Sequence, residues 1–251
     1  MCLGRSTIPW FSSLLRAENS PTFKRINVFQ KTQCLSAQFL ATLKIGNYIN
    51  EKYNRIAIEG GEGVGKSTVL DILKQKLDPE TTLFVKEPYE KSSVANDIIR
   101  WRKGELDLDE IEQTELMAKS RAELNNQVVI PAINEGKIVV FDRSIISNLV
   151  YQLTGTHLTR NEIIDINLEE DENMALPDLC VLIDADPRAV QDRLNQNGRE
   201  RDAIDSKPLE FHYQIRDEFL NLSEDFPCDF LILSGFDDPE VNAEKILELL
   251  K

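Results

Sequence analysis

The sequence predicts an α/β fold, a three-layer, doubly wound parallel sheet of five strands. Three observations predict it. Short segments that are apolar almost throughout recur along the chain, as strands buried on both faces require. Segments with helical spacing separate them. A glycine-rich turn joins the first of these strands to the first of these helices.

The elements follow in order. Arg55-Ile-Ala-Ile-Glu59 is the first strand, and residues 66–77 set Val69, Leu70, Ile72, Leu73 and Leu77 at helical spacing. Thr82–Lys86 is the second strand. A long helical region runs from about 109 to 135, with an earlier start after residue 92 and a break near Gly104 as the alternative. Residues 137–142 form the third strand, followed by a helix to about 153. Leu179–Asp184 is the fourth strand, with helices at about 187–196 and 208–225. Residues 229–233 are the fifth, and a last helix covers 239–251. The acidic runs 169–172 and 105–112 read as solvated helix ends or loops. Such folds bind ligands at the carboxyl ends of their strands, so the residues that matter should follow positions 59, 86, 142 and 184.

Composition narrows the function classes. The net charge of −14 is uneven: residues 1–50 carry six Lys/Arg and one acid, while the rest carries 23 basic and 42 acidic residues. A body this acidic excludes general binding to a nucleic-acid backbone, yet a few local cations suffice for a nucleotide. No apolar run reaches the ~18 residues that span a bilayer, so no membrane role is expected. The four cysteines (Cys2, Cys34, Cys180 and Cys228) are scattered, which indicates neither a zinc site nor a disulfide framework. Residues 1–50 form a separate basic extension. They read either as an organellar transit peptide or as a poorly ordered or upstream-translated segment. A cytoplasmic location is expected, with a mitochondrial one as the alternative.

The first strand opens into Gly60-Gly61-Glu62-Gly63-Val64-Gly65-Lys66-Ser67, which fits G-x-x-x-x-G-K-[ST] between a strand and a helix. Glycines let successive N–H groups curl around phosphate oxygens, and the helix N-terminus adds partial positive charge. The ATP-binding set is therefore residues 60–68, ending on Thr68. Lys66 is expected on the β- and γ-phosphates and Ser67 on Mg²⁺. By itself the motif implies only a bound nucleoside triphosphate.

From Ile58 to Thr68 the loop resembles that of thymidylate kinases, in which a carboxylate holds the position of Glu62. Lys86-Glu87-Pro88 resembles that family's R-E-P segment. Arg121, Pro131 and the stretch from Glu135 to Arg143 follow its order, as do Ser147, Tyr151-Gln152, Leu182-Ile-Asp184, Pro187, Phe211 and Arg216. The resemblance covers about residues 55–251. It implies a catalytic domain over 51–251 with a short lid. The implied reaction is ATP-dependent phosphorylation of a deoxynucleoside monophosphate for DNA precursor synthesis, with dTMP to dTDP first. It implies Mg²⁺ as cofactor and a homodimer, through the helices that carry Arg121 and Tyr151.

The same resemblance assigns roles. Glu62 would accept from the 3′-hydroxyl of the acceptor sugar. Arg143 would hold the acceptor phosphate, and Asp142 would lie near Mg²⁺ or position that phosphate. Arg121 would face the base, with Gln152 as a weaker candidate, and Arg100 is a candidate second phosphate ligand. Ser147 and Tyr151 complete the acceptor side. Where some family members carry a loop arginine, this chain has Gly63. The catalytic arginine would then come from the lid, where Arg193, Arg199 and Arg201 cluster, and Arg199 or Arg201 would close over the transferring group. Three positions depart from the family pattern: Met117 in place of a stacking phenylalanine, Ser144 after Asp142-Arg143, and Tyr89-Glu90 after Pro88. These lie around the acceptor, so a broader monophosphate range is one alternative. A second is a deoxynucleoside kinase, with Glu87 as base on a 5′-hydroxyl. A third is a regulatory nucleotide-binding module without turnover, against which Lys66, Ser67 and Asp142 count.

Overall fold

The structure, a computed structural model, describes residues 53–196, 204 and 206–250. The segment 1–50 and the lid arginines Arg199 and Arg201 lie outside these residues.

Five strands form one parallel sheet: β1 (Arg55–Glu59), β2 (Thr82–Lys86), β3 (Ile138–Asp142), β4 (Leu179–Asp184) and β5 (Asp229–Ser234). Their order is β2-β3-β1-β4-β5. β1 is central, with β3 on one side and β4 on the other. Successive connections leave in opposite directions from it, which opens a crevice at its carboxyl end.

Alternation along the strands divides the core. In β4, Leu179, Val181 and Ile183 face the layer that holds α1 (Lys66–Lys76) and α9 (Pro239–Leu249). Cys180 and Leu182 face the opposite layer, with Ile145, Ile146 and Leu149 of α5 (Ile145–Gly155) and Phe219 and Leu222 of α8 (Leu209–Asp225). Period-two alternation gives each face its own apolar set. Leu73 of α1 is fully buried in the first layer, so its truncation to alanine would cost about 2–5 kcal/mol.

The helical region after β2 divides at the break near Gly104. α2 spans Ala95–Arg102, Gly104 has φ 71, and α3 begins at Glu110. A capping box starts α3: the Asp109 side chain accepts from the Glu112 N–H, and Glu112 accepts from the Asp109 N–H. The expected run to 135 is interrupted. A π turn over Asn125–Val129 precedes α4 (Ile130–Asn134). Pro131 explains it, because proline lacks an N–H and clashes with the carbonyl one turn back, so the ladder widens there.

One helix was absent from the sequence reading. α6 spans Arg160–Glu170 and starts with a second capping box, Thr159 with Glu162. The T-x-x-E pattern was its available signal. The acidic run 169–172 does close a helix, since α6 ends at Glu170. The last helix before β5 other than α8 is α7 (Pro187–Gln196), which lies over the phosphate loop.

Candidate active site

The loop after β1 depends on two glycines. Gly60 has φ 139, and a Cβ there would lie 2.4 Å from the Ile183 carbonyl oxygen of β4. Gly63 has φ 69, with Val190 and Leu194 of α7 directly above it. Val64 turns inward and is buried in the core, so only its backbone faces a ligand. Ser67 and Thr68 sit exposed in the first turn of α1. Lys66 folds back into the loop, its Nζ donating to the carbonyls of Gly60 at 2.9 Å and Gly61 at 2.5 Å. Burial, reinforced by the nearby charge of Arg143, pushes its amine down to about 7.

A second loop meets the first. β3 ends at Asp142, and Arg143 adopts φ 70, a left-handed conformation that costs a non-glycine residue roughly 1 kcal/mol or more. Its Nη1 donates to the Gly60 carbonyl at 3.3 Å and to Ser147 Oγ at 3.0 Å. Its Nη2 donates to Glu62 Oε1 at 2.5 Å. The same Glu62 oxygen accepts from the Tyr151 hydroxyl at 2.9 Å, and the guanidinium lies 5.4 Å from the Tyr151 ring centre. Burial opposes the charge on Arg143, but Tyr151 and the carboxylates of Glu62, Glu59 and Asp142 outweigh it and raise its pKa. Arg143 is therefore a fixed cation bonded to the phosphate loop on one side and to Ser147 of α5 on the other.

The third part is buried. Arg121 is 5% exposed. Its Nε and Nη2 bind the Glu87 carboxylate, with Nη2 to Oε2 at 2.6 Å. Its Nη1 donates to Asn148 at 3.4 Å and to Asn167. Asn167 Nδ2 donates to Asn148 Oδ1 at 3.2 Å. With five N–H groups on a guanidinium, these bonds leave one on Nη2 for a ligand. Arg121 thus organises Asn148 and Asn167 more than it presents itself. Met117 is half-buried on the same helix, and Gln152 is buried.

Other expected residues fall apart from this cluster. Arg100 is 51% exposed on α2 and pairs with Asp97 at 3.2 Å. Arg193 is not a loose lid residue. Its Nη1 donates to the Gly235 carbonyl at 3.0 Å and its Nη2 to the Gly63 carbonyl at 2.5 Å, and its guanidinium lies 5.5 Å from the Phe236 ring centre. Arg216 makes a bidentate pair with Asp184 at the end of β4, at 2.6 and 2.8 Å.

Sequence reasoning gave no role to Glu59, Asn148 or Asn167. Glu59 carried a signal, an acid closing an otherwise apolar strand just before the phosphate loop. Asn167 belongs to the unread α6. Asn148 sits one position after Ser147 on α5, and only its packing against Arg121 reveals it.

Comparison with known proteins points to one family. The family model for thymidylate kinase matches residues 58–246. A thymidylate kinase of Clavibacter sepedonicus is 32% identical over 195 residues, covering 76% of this chain and 91% of that protein. One from Chlamydia felis is 32% identical over 197 residues, covering 76% and 94%. One from Clavibacter michiganensis is 34% identical over 184 residues, covering 72% and 86%.

Proposed function

We propose how particular residues carry the reaction from one premise, that this chain belongs to the thymidylate kinase family. The reaction is ATP-dependent phosphorylation of dTMP to dTDP, a phosphotransferase activity. The observation that carries the assignment is Arg143, tied to the phosphate loop at both the Gly60 carbonyl and the Glu62 carboxylate. A cation there neutralises charge between two polyanions that must approach in line.

In this reading residues 60–68 cradle the ATP phosphates. Lys66 leaves the Gly60 and Gly61 carbonyls and binds the β- and γ-oxygens. Arg143 holds the acceptor phosphate, and the ion pair with Glu62 presets its aim. Glu62 keeps acceptor capacity for the sugar 3′-hydroxyl, because an ionised carboxylate has about four lone-pair sites. Tyr151 fixes the orientation of Glu62. Arg121, through Asn148 and Asn167, supports the base pocket, which Met117 flanks. No general base is needed, since the acceptor is already a phosphate anion. That Glu87 is bound by Arg121 disfavours the deoxynucleoside kinase reading, which needs Glu87 as a base.

Mg²⁺ fits the residues present. Ser67 is exposed at the loop, and Asp142 is partly exposed, 4.0 Å from the Lys86 amine. Among the described residues no cluster of three or more His, Cys, Asp or Glu could hold a metal by itself. That sparse oxygen set suits an ion that keeps phosphate and water ligands. When bound, it supplies charge neutralisation on the transferring phosphoryl group.

The catalytic unit is residues 51–251. Among the described residues no helix is long and apolar enough to cross a membrane. Of the two helices expected at a homodimer interface, α5 is covered by its own chain from Ile145 to Val150, whereas α3 exposes Ile111. A homodimer through these two helices rests on the family resemblance.

An ADP-release assay tests the assignment. Turnover is expected with dTMP and absent with thymidine. Arg143→Ala should lower kcat/KM for dTMP by about 10²–10³ while ATP still binds. Near-normal kcat/KM in that variant would overturn the role of Arg143.

A further inference from the structure

The phosphate loop and the Arg143 turn share one foundation, Glu59. This last residue of β1 is fully buried. Its Oε1 accepts from the Ser144 N–H and the Ser144 hydroxyl, both at 2.7 Å, and its Oε2 accepts from the Ser147 hydroxyl at 2.5 Å. Ser147 Oγ in turn accepts from Arg143 Nη1. We propose that Glu59 is a positioning residue for phosphoryl transfer. Its carboxylate pins the backbone of the Arg143 turn through Ser144 and aims the Arg143 guanidinium through Ser147.

The register explains why a carboxylate is needed. β1 and β3 stay paired up to Ile58 opposite Asp142, and the Arg143 N–H still reaches the Ile58 carbonyl at 3.3 Å. Beyond that point β1 becomes the phosphate loop and β3 turns into α5, so the backbone ladder ends. The Glu59 side chain takes over as acceptor for the next N–H, that of Ser144. An ionised carboxylate accepts only and has room for several donors, which no neutral side chain of its length matches.

Fold stability alone would not select this residue. Ile56, Ala57 and Ile58 fill β1 as apolar residues with no exposed surface. Burying a carboxylate among them is costly unless its oxygens are satisfied. Burial raises its pKa, with the bonds from Ser147 and Ser144 acting against that shift. What the arrangement secures is a left-handed arginine whose side chain must point back across the loop. The residue after Glu59 adds to this, because the carbonyl of Gly60 accepts from both Lys66 and Arg143.

The inference rests on the proposed role of Arg143 at the acceptor phosphate, and four variants separate the two. Steady-state constants for dTMP and ATP, and inhibition by thymidine, are measured for Glu59→Gln, Ser147→Ala, their combination and Arg143→Ala. Glu59→Gln should lower kcat/KM for dTMP roughly ten-fold, the scale of one charge-assisted hydrogen bond. Inhibition by thymidine, which has no phosphate, should stay within about two-fold. Ser147→Ala should show the same selective loss, and the combination should be no worse than Glu59→Gln, because both cut one chain of bonds. If Glu59→Gln does not fold, Ser147→Ala must still separate dTMP from thymidine. Unchanged dTMP constants in either single variant, equal weakening of dTMP and thymidine, or losses that multiply would overturn the proposal. If Arg143→Ala itself leaves dTMP unaffected, the role of Arg143 fails. If it weakens dTMP while Glu59→Gln does not, only the role of Glu59 fails.

Discussion

Leu194 closes over Gly63: a Cβ on the glycine would lie 2.9 Å from Leu194 Cδ1 and equally close to Val190 Cγ1. The phosphate loop therefore has no room for a side chain at this position while α7 packs as it does. Gly63→Ala should destabilise the domain by about 1–3 kcal/mol, combining overpacking with the cost of a left-handed non-glycine residue. Gly63→Arg should displace α7 and lose most ATP turnover instead of supplying a loop arginine. Thermal melts and kcat for both variants check this. An active, stable Gly63→Arg would show that α7 is not seated on the loop.

Lys66 carries a proton prediction. With its amine pushed down to about 7, it is largely neutral at pH 8 in the ligand-free protein. Phosphate oxygens restore the charge, so ATP binding at pH 8 should take up close to one proton, falling toward none near pH 6. Calorimetry in buffers of different ionisation enthalpy measures this, and Lys66→Ala should abolish the uptake. The sign for stability follows. The unfolded chain binds the extra proton between about pH 7 and the ordinary lysine value, so ligand-free stability due to this group rises with pH across that window. Turnover in Lys66→Ala should fall by about 10²–10³.

Arg199 and Arg201 lie outside the described residues, and their role is proposed from the family resemblance and from Gly63. If one of them acts mainly in the transition state, its replacement by alanine should lower kcat with little change in the KM for ATP. Full kcat in both single variants and in the double variant would remove the lid from catalysis.

We propose that Met117 governs the acceptor range. Base stacking on an aromatic ring contributes ~1–3 kcal/mol, and methionine offers a pliable contact in its place. We expect dTMP to be the best or a good acceptor, with measurable turnover of at least one other deoxynucleoside monophosphate. Met117→Phe should sharpen the preference. Comparing kcat/KM for the four deoxynucleoside monophosphates in both proteins decides. A strict dTMP preference that Met117→Phe leaves unchanged would show that neighbouring residues set the pocket.

The legible parts of this protein are those written in local pattern. The five strands, the phosphate loop and the Asp142-Arg143 step at the end of β3 each lie within a few consecutive residues. Their chemistry follows from residue type at fixed spacing. α6 was less visible because its apolar residues Ile163 and Ile164 pack inward within a largely polar stretch, so its period is weak and only the Thr159–Glu162 cap marks it. The π turn before Pro131 was not read at all: the helix was expected to run unbroken to 135, although the proline was a signal against that.

By itself the sequence determined the fold class, the nucleotide loop and the identity of the cations around it, because strand burial and glycine geometry are local consequences of composition and order. Only the tertiary structure decided how those cations are used. It committed Arg121 to Glu87, 34 residues away, and joined it to Asn148 and Asn167. It turned Arg100 outward, seated Arg193 on the phosphate loop, and set Glu59 beneath Arg143 through Ser144 and Ser147. The physical reason is that a buried charge takes whichever partner the packing of distant elements brings within hydrogen-bonding reach, and sequence spacing does not encode that distance.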